Sequence, residues 1–301
     1  MPQIDETAEL MRPLRTNIHL KKALGQHFLR DRDAAARIAR YLPKDRLAVE
    51  IGPGDGALTQ ELFLHGNKVL AIEVDAEMIP LLKKRFHRQK DTFQLIVADA
   101  LRINWAALAE EHEPYALVGN LPYNIASQII IRVLDAVRNS PNPFLSEMVV
   151  TVQKEVAERL TAKAGNKSYG GLTILTKYHA EAEYLFTIPA ENFFPKPQVD
   201  GGVIRLKFHK PSEFPPVDYP TFRRIVRGCF AQRRKILSNS LRVVNDLPEG
   251  WKDLPFDWSR RPEQIELAEF VSLTNQLIKL GLPISHASGE SLSESNADAN
   301  M

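Results

Sequence analysis

The stretch Val49-Glu50-Ile51-Gly52-Pro53-Gly54-Asp55-Gly56-Ala57-Leu58-Thr59 decides the fold. The aliphatic run Leu47–Ile51 reads as a strand and Ala57–Leu64 has helical spacing, so the three glycines lie on a strand-to-helix turn. Glycine at 52, 54 and 56 lets the backbone turn tightly and approach a ligand with no Cβ between them. Such turns cradle nucleosides and nucleotides. The spacing here is G-x-G-x-G, whereas dinucleotide sites carry G-x-G-x-x-G with a pyrophosphate on the helix N-terminus. Glu50 and Asp55 bring negative charge to the turn, which repels a pyrophosphate and suits a cationic ligand.

Outward from the turn, short β-branched or aliphatic runs alternate with helical segments. Lys68–Ile72, Phe93–Ala98, Ala116–Gly119 and Glu147–Val152 read as strands, and Ala76–Phe86 and Ala126–Val137 as helices. The alternation predicts an α/β fold, a doubly wound Rossmann-like sheet of parallel βαβ units. Two acids fall at successive strand ends. Glu73, 21 positions after Gly52, can accept both hydroxyls of a ribose, and Asp99 can accept a hydrogen bond from an adenine amine. With Gly52, Gly54 and the acidic turn they predict S-adenosylmethionine as cofactor, its sulfonium and amino group facing carboxylates.

After the fourth predicted strand stands Asn120-Leu121-Pro122-Tyr123. An adenine exocyclic amine is a poor nucleophile because its lone pair is delocalised into the ring. Acceptors aimed at its two N–H bonds favour the pyramidal nitrogen that can attack a methyl group. The Asn120 side-chain carbonyl is one candidate acceptor and the Leu121 backbone carbonyl the other, stiffened by Pro122; Asn120 is also counted among the cofactor-binding residues. Tyr123 offers a ring to a base that has left its stack. A second aromatic pair opens Phe193-Phe194-Pro195-Lys196-Pro197. Phe193 is assigned to the target base and Phe194 to packing, with the reverse left open.

Composition limits the remainder. The chain has 301 residues, long enough for one large α/β domain and a smaller companion. The expected divisions are a flexible arm over 1–20, a methyltransferase domain over 21–210, a helical RNA-binding domain over 211–283 and a disordered tail over 284–301. The third begins in the Pro-rich linker Lys210–Pro220, and its helices are expected over Thr221–Phe230, Arg234–Val243 and Pro262–Leu280. Net charge is only +2, but Val203–Asn245 holds ten Lys/Arg against two acids, a sign of a polyanionic partner. No apolar run spans a bilayer and no secretory leader is visible, so no membrane is expected. The lone Cys229 allows neither an internal disulfide nor a thiolate metal centre. A cytoplasmic monomer with no metal is expected.

Together these residues resemble the family of ribosomal RNA adenine N6,N6-dimethyltransferases, in the branch acting on two adjacent adenines near the 3′ end of small-subunit (16S) rRNA. The likeness runs from about Lys22 to Leu280. Gly25-Gln26-His27-Phe28-Leu29 is similar to the family's first cofactor motif, which places His27 and Leu29 at the methionine end of the cofactor. Many members carry Asn where this chain has His27, and a Ser commonly follows the Asp where this chain has Gly201-Gly202. Gln232-Arg233-Arg234-Lys235 matches as well and implies phosphate contacts by Arg233, Arg234 and Lys235. The resemblance implies two methyl transfers to each adenine, with small-subunit rRNA in an immature 30S particle as partner.

Three other classes compete. A nicotinamide-dependent oxidoreductase is disfavoured by the glycine spacing and by the absence of a hydride-site His or Lys-Tyr pair. Relatives of the family serve as assembly or transcription factors, but every acceptor and acid that catalysis needs is present here. A DNA adenine methyltransferase shares the amine chemistry; the basic C-terminal segment favours structured RNA by resemblance.

Overall fold

The computed structural model describes residues 25–112, 114–140, 144–209 and 217–284. The arm expected over 1–20, nearly all of the tail expected over 284–301 and most of the Pro-rich linker lie outside the described residues.

After a two-residue strand Phe28–Leu29 (β1) and the helix Arg32–Arg40 (α1), Leu47–Ile51 (β2) starts the main sheet. Asp31 starts α1 by accepting from Ala34 N, and Arg37 and Arg40 close it in its last turn, where cations favour the carbonyl end. Ala57–His65 (α2), Lys68–Glu73 (β3), Met78–Arg85 (α3), Phe93–Val97 (β4), Trp105–Glu111 (α4), Tyr115–Asn120 (β5), Ala126–Asn139 (α5) and Leu145–Gln153 (β6) then alternate as the periodicity predicts. Strands β4, β3, β2, β5 and β6 are parallel neighbours in that order. Chain order therefore reverses between β2 and β5, and the crevice at such a reversal is where open α/β sheets bind ligands.

One long strand, Gly201–Phe208, departs from the parallel expectation. Following the helices Lys154–Leu160 (α6) and Gly171–His179 (α7), Ala180–Ile188 (β7) leads through Phe193–Phe194 (β8) to Gly201–Phe208 (β9). Strand β9 inserts antiparallel between β6 and β7, completing seven strands, while β8 pairs antiparallel with β1. Side chains alternate across the central strands. Val49, Ile51, Leu70, Ile72 and Leu117 join the core under α4–α6, whereas Ala48, Val69, Ala71 and Val118 join the one under α1 and α2.

The C-terminal portion is helical, though less regular than its spacing suggests. Tyr219–Ala231 (α8) starts at Asp218, whose carboxylate accepts from Thr221 N, with Pro220 in the first turn. Arg234, Lys235 and Ile236 are not helical; Leu237–Ser240 (α9) and a 3-10 turn over Leu241–Val243 follow. Pro262 opens a 3-10 turn, and the last helix, Leu267–Lys279 (α10), begins only after Glu266. Phe222, Ile225, Phe270 and Leu273 of these helices share one apolar cluster with Tyr169, Ile174 and Leu175 at α7. Cys229 is fully buried in it, and burial pushes its thiol up to about 12. No helix among the described residues is long and apolar enough to cross a membrane.

Candidate active site

A cavity of about 260 Å³ opens at the carboxyl ends of the parallel strands, beside the reversal in strand order. Gly52 and Gly54 border it, with φ of +67° and +56°, backbone that side chains with a Cβ rarely adopt. A Cβ on Gly54 would lie 2.6 Å from Phe28 Cδ1, whereas one on Gly52 would meet nothing within 4 Å. The first glycine thus keeps open space beside the cavity and the second admits the β1 segment.

Glu50, Glu73 and Asp99 all line this cavity, together with Leu29, Asn120, Leu121 and Pro122. Glu50 is buried, and one oxygen accepts from the Thr59 hydroxyl at 2.5 Å. Burial, aided by nearby Glu73 and Asp55 and only partly offset by that bond, pushes its carboxyl up to about 8. Glu73 stitches the end of β3 to the glycine turn. One oxygen accepts from Val74 N and Asp75 N at 2.9 and 2.8 Å, and the other from Gly54 N at 3.3 Å. Its carboxyl is also raised, by burial first. Asp99 caps a 3-10 turn through one oxygen, bonded to Leu101 N at 2.9 Å; the other lies 3.8 Å from Arg102 Nε.

The expected role of Asp55 needs correction. Its carboxylate is 3.3 Å from Arg30 Nη1, and Arg85 donates to its backbone carbonyl at 2.6 Å. The charge it brings to the turn is therefore paired with Arg30, although Asp55 lines the cavity together with Glu50, Glu73 and Asp99. Arg30, which the motif reading passed over, also lies over the Phe194 ring, 5.5 Å from its centroid.

At the end of β5, Asn120 Nδ2 donates to the His27 carbonyl at 2.6 Å, and Asn120 Oδ1 is buried with no hydrogen-bond partner among the described residues. An amide tied at its donor end presents its acceptor end, and a buried acceptor left unpaired costs about 1–3 kcal/mol unless something occupies it. Leu121 N donates to Thr151 O at 3.0 Å, fixing the peptide that follows Asn120. The Tyr123 ring lies 5.4 Å from that of His27, and burial pushes its phenol up to about 12. His27 lines the cavity, but its Nδ1 is 2.7 Å from Pro195 O.

The assignment within the Phe193-Phe194 pair is reversed. Phe193 is 3% exposed and packs with Leu29, Ile188 and Val203, while Phe194 is 54% exposed. The strand sends the two rings to opposite faces: Leu29 stands opposite Phe193 and Phe28 opposite Phe194, and successive side chains face opposite ways. Gly201 makes room for the buried ring; a Cβ there would sit 3.0 Å from Phe193 Cζ. Having glycine rather than Ser after Asp200 thus matches the packing of Phe193.

The basic C-terminal segment also divides. Arg233 Nη2 is 2.7 Å from Glu263 Oε2 and 2.7 Å from Lys167 O, so it clamps two loops rather than facing solvent unpaired. Arg205, Arg223 and Arg224 are likewise bonded, to Glu183, Asp135 and Pro283 O. Arg234 and Lys235 are exposed.

The residues fit a cationic nucleoside: open space beside Gly52, buried carboxyls at Glu50 and Glu73, and an orphaned acceptor on Asn120 at one end of the same cavity. Fold and site together define an S-adenosylmethionine-dependent methyltransferase. The profile of the family described as ribosomal RNA adenine dimethylase matches residues 17–254, and the chain belongs to that family. It is 39% identical to the ribosomal RNA small subunit methyltransferase A of Pseudomonas aeruginosa, over 86% of this chain and 95% of that protein. It is 42% identical to the protein of the same name from Porphyromonas gingivalis, over 85% of this chain and 97% of the other. Among solved structures, a dimethyladenosine transferase from Plasmodium falciparum superposes with a TM-score of 0.69 at 24% identity, covering 86% of this chain and all of that one, and shares the fold. The 23S rRNA methyltransferase ErmE does so with 0.60 at 26% identity, over 83% of this chain and all of the other.

Proposed function

We propose that this enzyme transfers methyl groups from S-adenosylmethionine to N6 of two adjacent adenines near the 3′ end of small-subunit rRNA, giving N6,N6-dimethyladenosines. Its substrate is the RNA within an immature 30S particle, and it acts as a cytoplasmic monomer. The observation that carries the reading is the unpaired Asn120 Oδ1, buried at the end of β5 in the cavity that also holds Glu50, Glu73 and Asp99.

Leu29, Gly52, Gly54, Glu73 and Asp99 would hold the cofactor, Glu73 toward the ribose and Asp99 toward the adenine. When bound, S-adenosylmethionine supplies a methyl group on positively charged sulfur. Asn120 Oδ1 and the Leu121 carbonyl accept the two N–H bonds of the target amine and so localise its lone pair on nitrogen. The methyl group would pass to N6 as its bond to sulfur is released. Neither carbonyl retains the proton lost from N6, which passes to solvent. A monomethylated amine keeps one N–H, so one acceptor suffices to orient it for the second transfer. Phe194 and Tyr123 provide faces for the extruded base. The helical portion from about 211 to 283 grips rRNA, with Arg234 and Lys235 on phosphates and Arg233 holding their loop.

The test is to incubate the protein with labelled cofactor and immature small subunits and to map the modified nucleotides. Dimethylation of two neighbouring adenines is expected. Asn120→Ala should lower kcat roughly 10²–10³-fold, the scale of losing one preorganised donor or acceptor, while calorimetry shows cofactor binding intact. Equal turnover by the variant refutes the acceptor role.

A further inference from the structure

We infer that His27 is a positioning residue for the target amine, its ring tying the segment that orients Asn120 to the loop that presents Phe194. The inference rests on the adenine reading above.

Two bonds meet on this one residue. Its backbone carbonyl accepts from Asn120 Nδ2 at 2.6 Å, and its ring Nδ1 is 2.7 Å from Pro195 O. A primary amide has one donor end and one acceptor end. Flipping Asn120 would bring two carbonyl oxygens together at that distance, so the His27 carbonyl decides which end of Asn120 stays free. The Pro195 carbonyl can only accept, so Nδ1 must carry a proton. Pro195 directly follows Phe194, whose ring is exposed.

The surroundings restrain the segment from both sides. Gln26 Nε2 donates to Asp75 Oδ2 at 3.0 Å, and Phe28 and Leu29 pair with Phe194 and Phe193. Between them, the ring of His27 packs 5.4 Å from that of Tyr123. His27 also lines the cavity, so the cofactor contact that the family likeness suggests stands beside this bridge between two loops. An asparagine side chain at this position also carries an N–H that can reach a carbonyl, so the donor is the property to test.

His27→Phe retains an aromatic ring beside Tyr123 and removes the donor; His27→Asn retains a donor. Turnover is measured on immature small subunits at saturating cofactor, cofactor affinity by calorimetric titration with S-adenosylhomocysteine, and folding by thermal melting. Leaving a carbonyl unpaired predicts a loss of about tenfold in kcat for His27→Phe, with cofactor Kd within about twofold of wild type. His27→Asn should recover kcat to within about threefold of wild type. Wild-type kcat in folded His27→Phe overturns the inference, as does a cofactor Kd weakened about tenfold with kcat retained, the signature of a cofactor contact. If His27→Phe does not fold, His27→Ala takes its place, and equal kcat for Ala and Asn overturns the inference. Asn120→Ala, assayed in parallel, separates the two failures. Turnover by that variant sinks the adenine reading, whereas its inactivity beside a fully active His27→Phe sinks the role of His27 alone.

Discussion

The turn after β2 and the loop after α8 are both short, motif-dense segments beside a helix end, yet their functions rest on different parts of the chain. In the first, backbone does the work: Gly52 and Gly54 hold positive φ, and Glu73 reaches across to bond Gly54 N. In the second, side chains do the work, and partners distant in sequence choose among them. Arg233 is bonded to Glu263 and Lys167 O, while its neighbours Arg234 and Lys235 are exposed. A motif whose role is conformational keeps that role wherever the turn forms. One whose role is a free charge depends on what the rest of the fold does with that charge.

The aromatic pair gives the sharpest way to break this contrast. Packing has made two adjacent phenylalanines unequal, so Phe193→Ala should cost about 3–5 kcal/mol of stability, read from denaturant unfolding. Phe194→Ala should leave the unfolding midpoint nearly unchanged and lower turnover by tenfold or more, since stacking on a base is worth about 1–3 kcal/mol. Equal effects on stability would show that the two rings exchange places in solution.

Glu50 tests the cofactor turn. Its carboxyl sits at about 8 in the free protein, so it is mostly protonated at neutral pH. A cationic ligand in the same cavity favours the ionised form, so binding releases a proton. Affinity for S-adenosylmethionine, titrated calorimetrically without RNA, should rise severalfold between about pH 6 and 8 and level off above. Because the folded-state value is raised above the unfolded one, the same group lowers the stability of the free protein as pH climbs from about 4.5 to about 8. Glu50→Gln should remove both dependences. A flat affinity profile in the wild type would mean that no cation approaches this carboxyl.

The smallest effects belong to the basic loop. Arg234→Ala and Lys235→Ala should each weaken RNA binding and lower the slope of log K against log salt by about 1, with melting temperature unchanged. Arg233→Ala should instead lower stability by about 1 kcal/mol, because its partly exposed ion pair and its bond to a backbone carbonyl are lost. A salt slope that changes with Arg233 as it does with Arg234 would return Arg233 to the RNA.

Local pattern was enough to place the parallel strands and the helices α2, α3 and α5 between them, because period and turn chemistry act over a few residues; the short α4 was not placed by it. Leu47–Ile51 appears with the bounds its apolar run implies. The same holds for Glu73, Asp99 and Asn120, which stand at strand ends and therefore face one crevice once the strands are parallel. Strand β9 was less legible, since its antiparallel place between β6 and β7 depends on long-range pairing. The long helix expected from Pro262 shortens because Pro262–Gln264 forms its own 3-10 turn, held by Gln264 against Arg261 N.

By itself, then, the sequence determined the alternating architecture, the glycine turn and the row of polar residues at strand ends, all consequences of short-range geometry. Tertiary structure decided which of two neighbouring rings is buried, which arginine of the basic loop is exposed, that Asp55 is paired with Arg30, and which end of Asn120 is offered to the cavity. Those outcomes depend on atoms brought together from far along the chain, and residue spacing carries no information about a partner until the chain has folded.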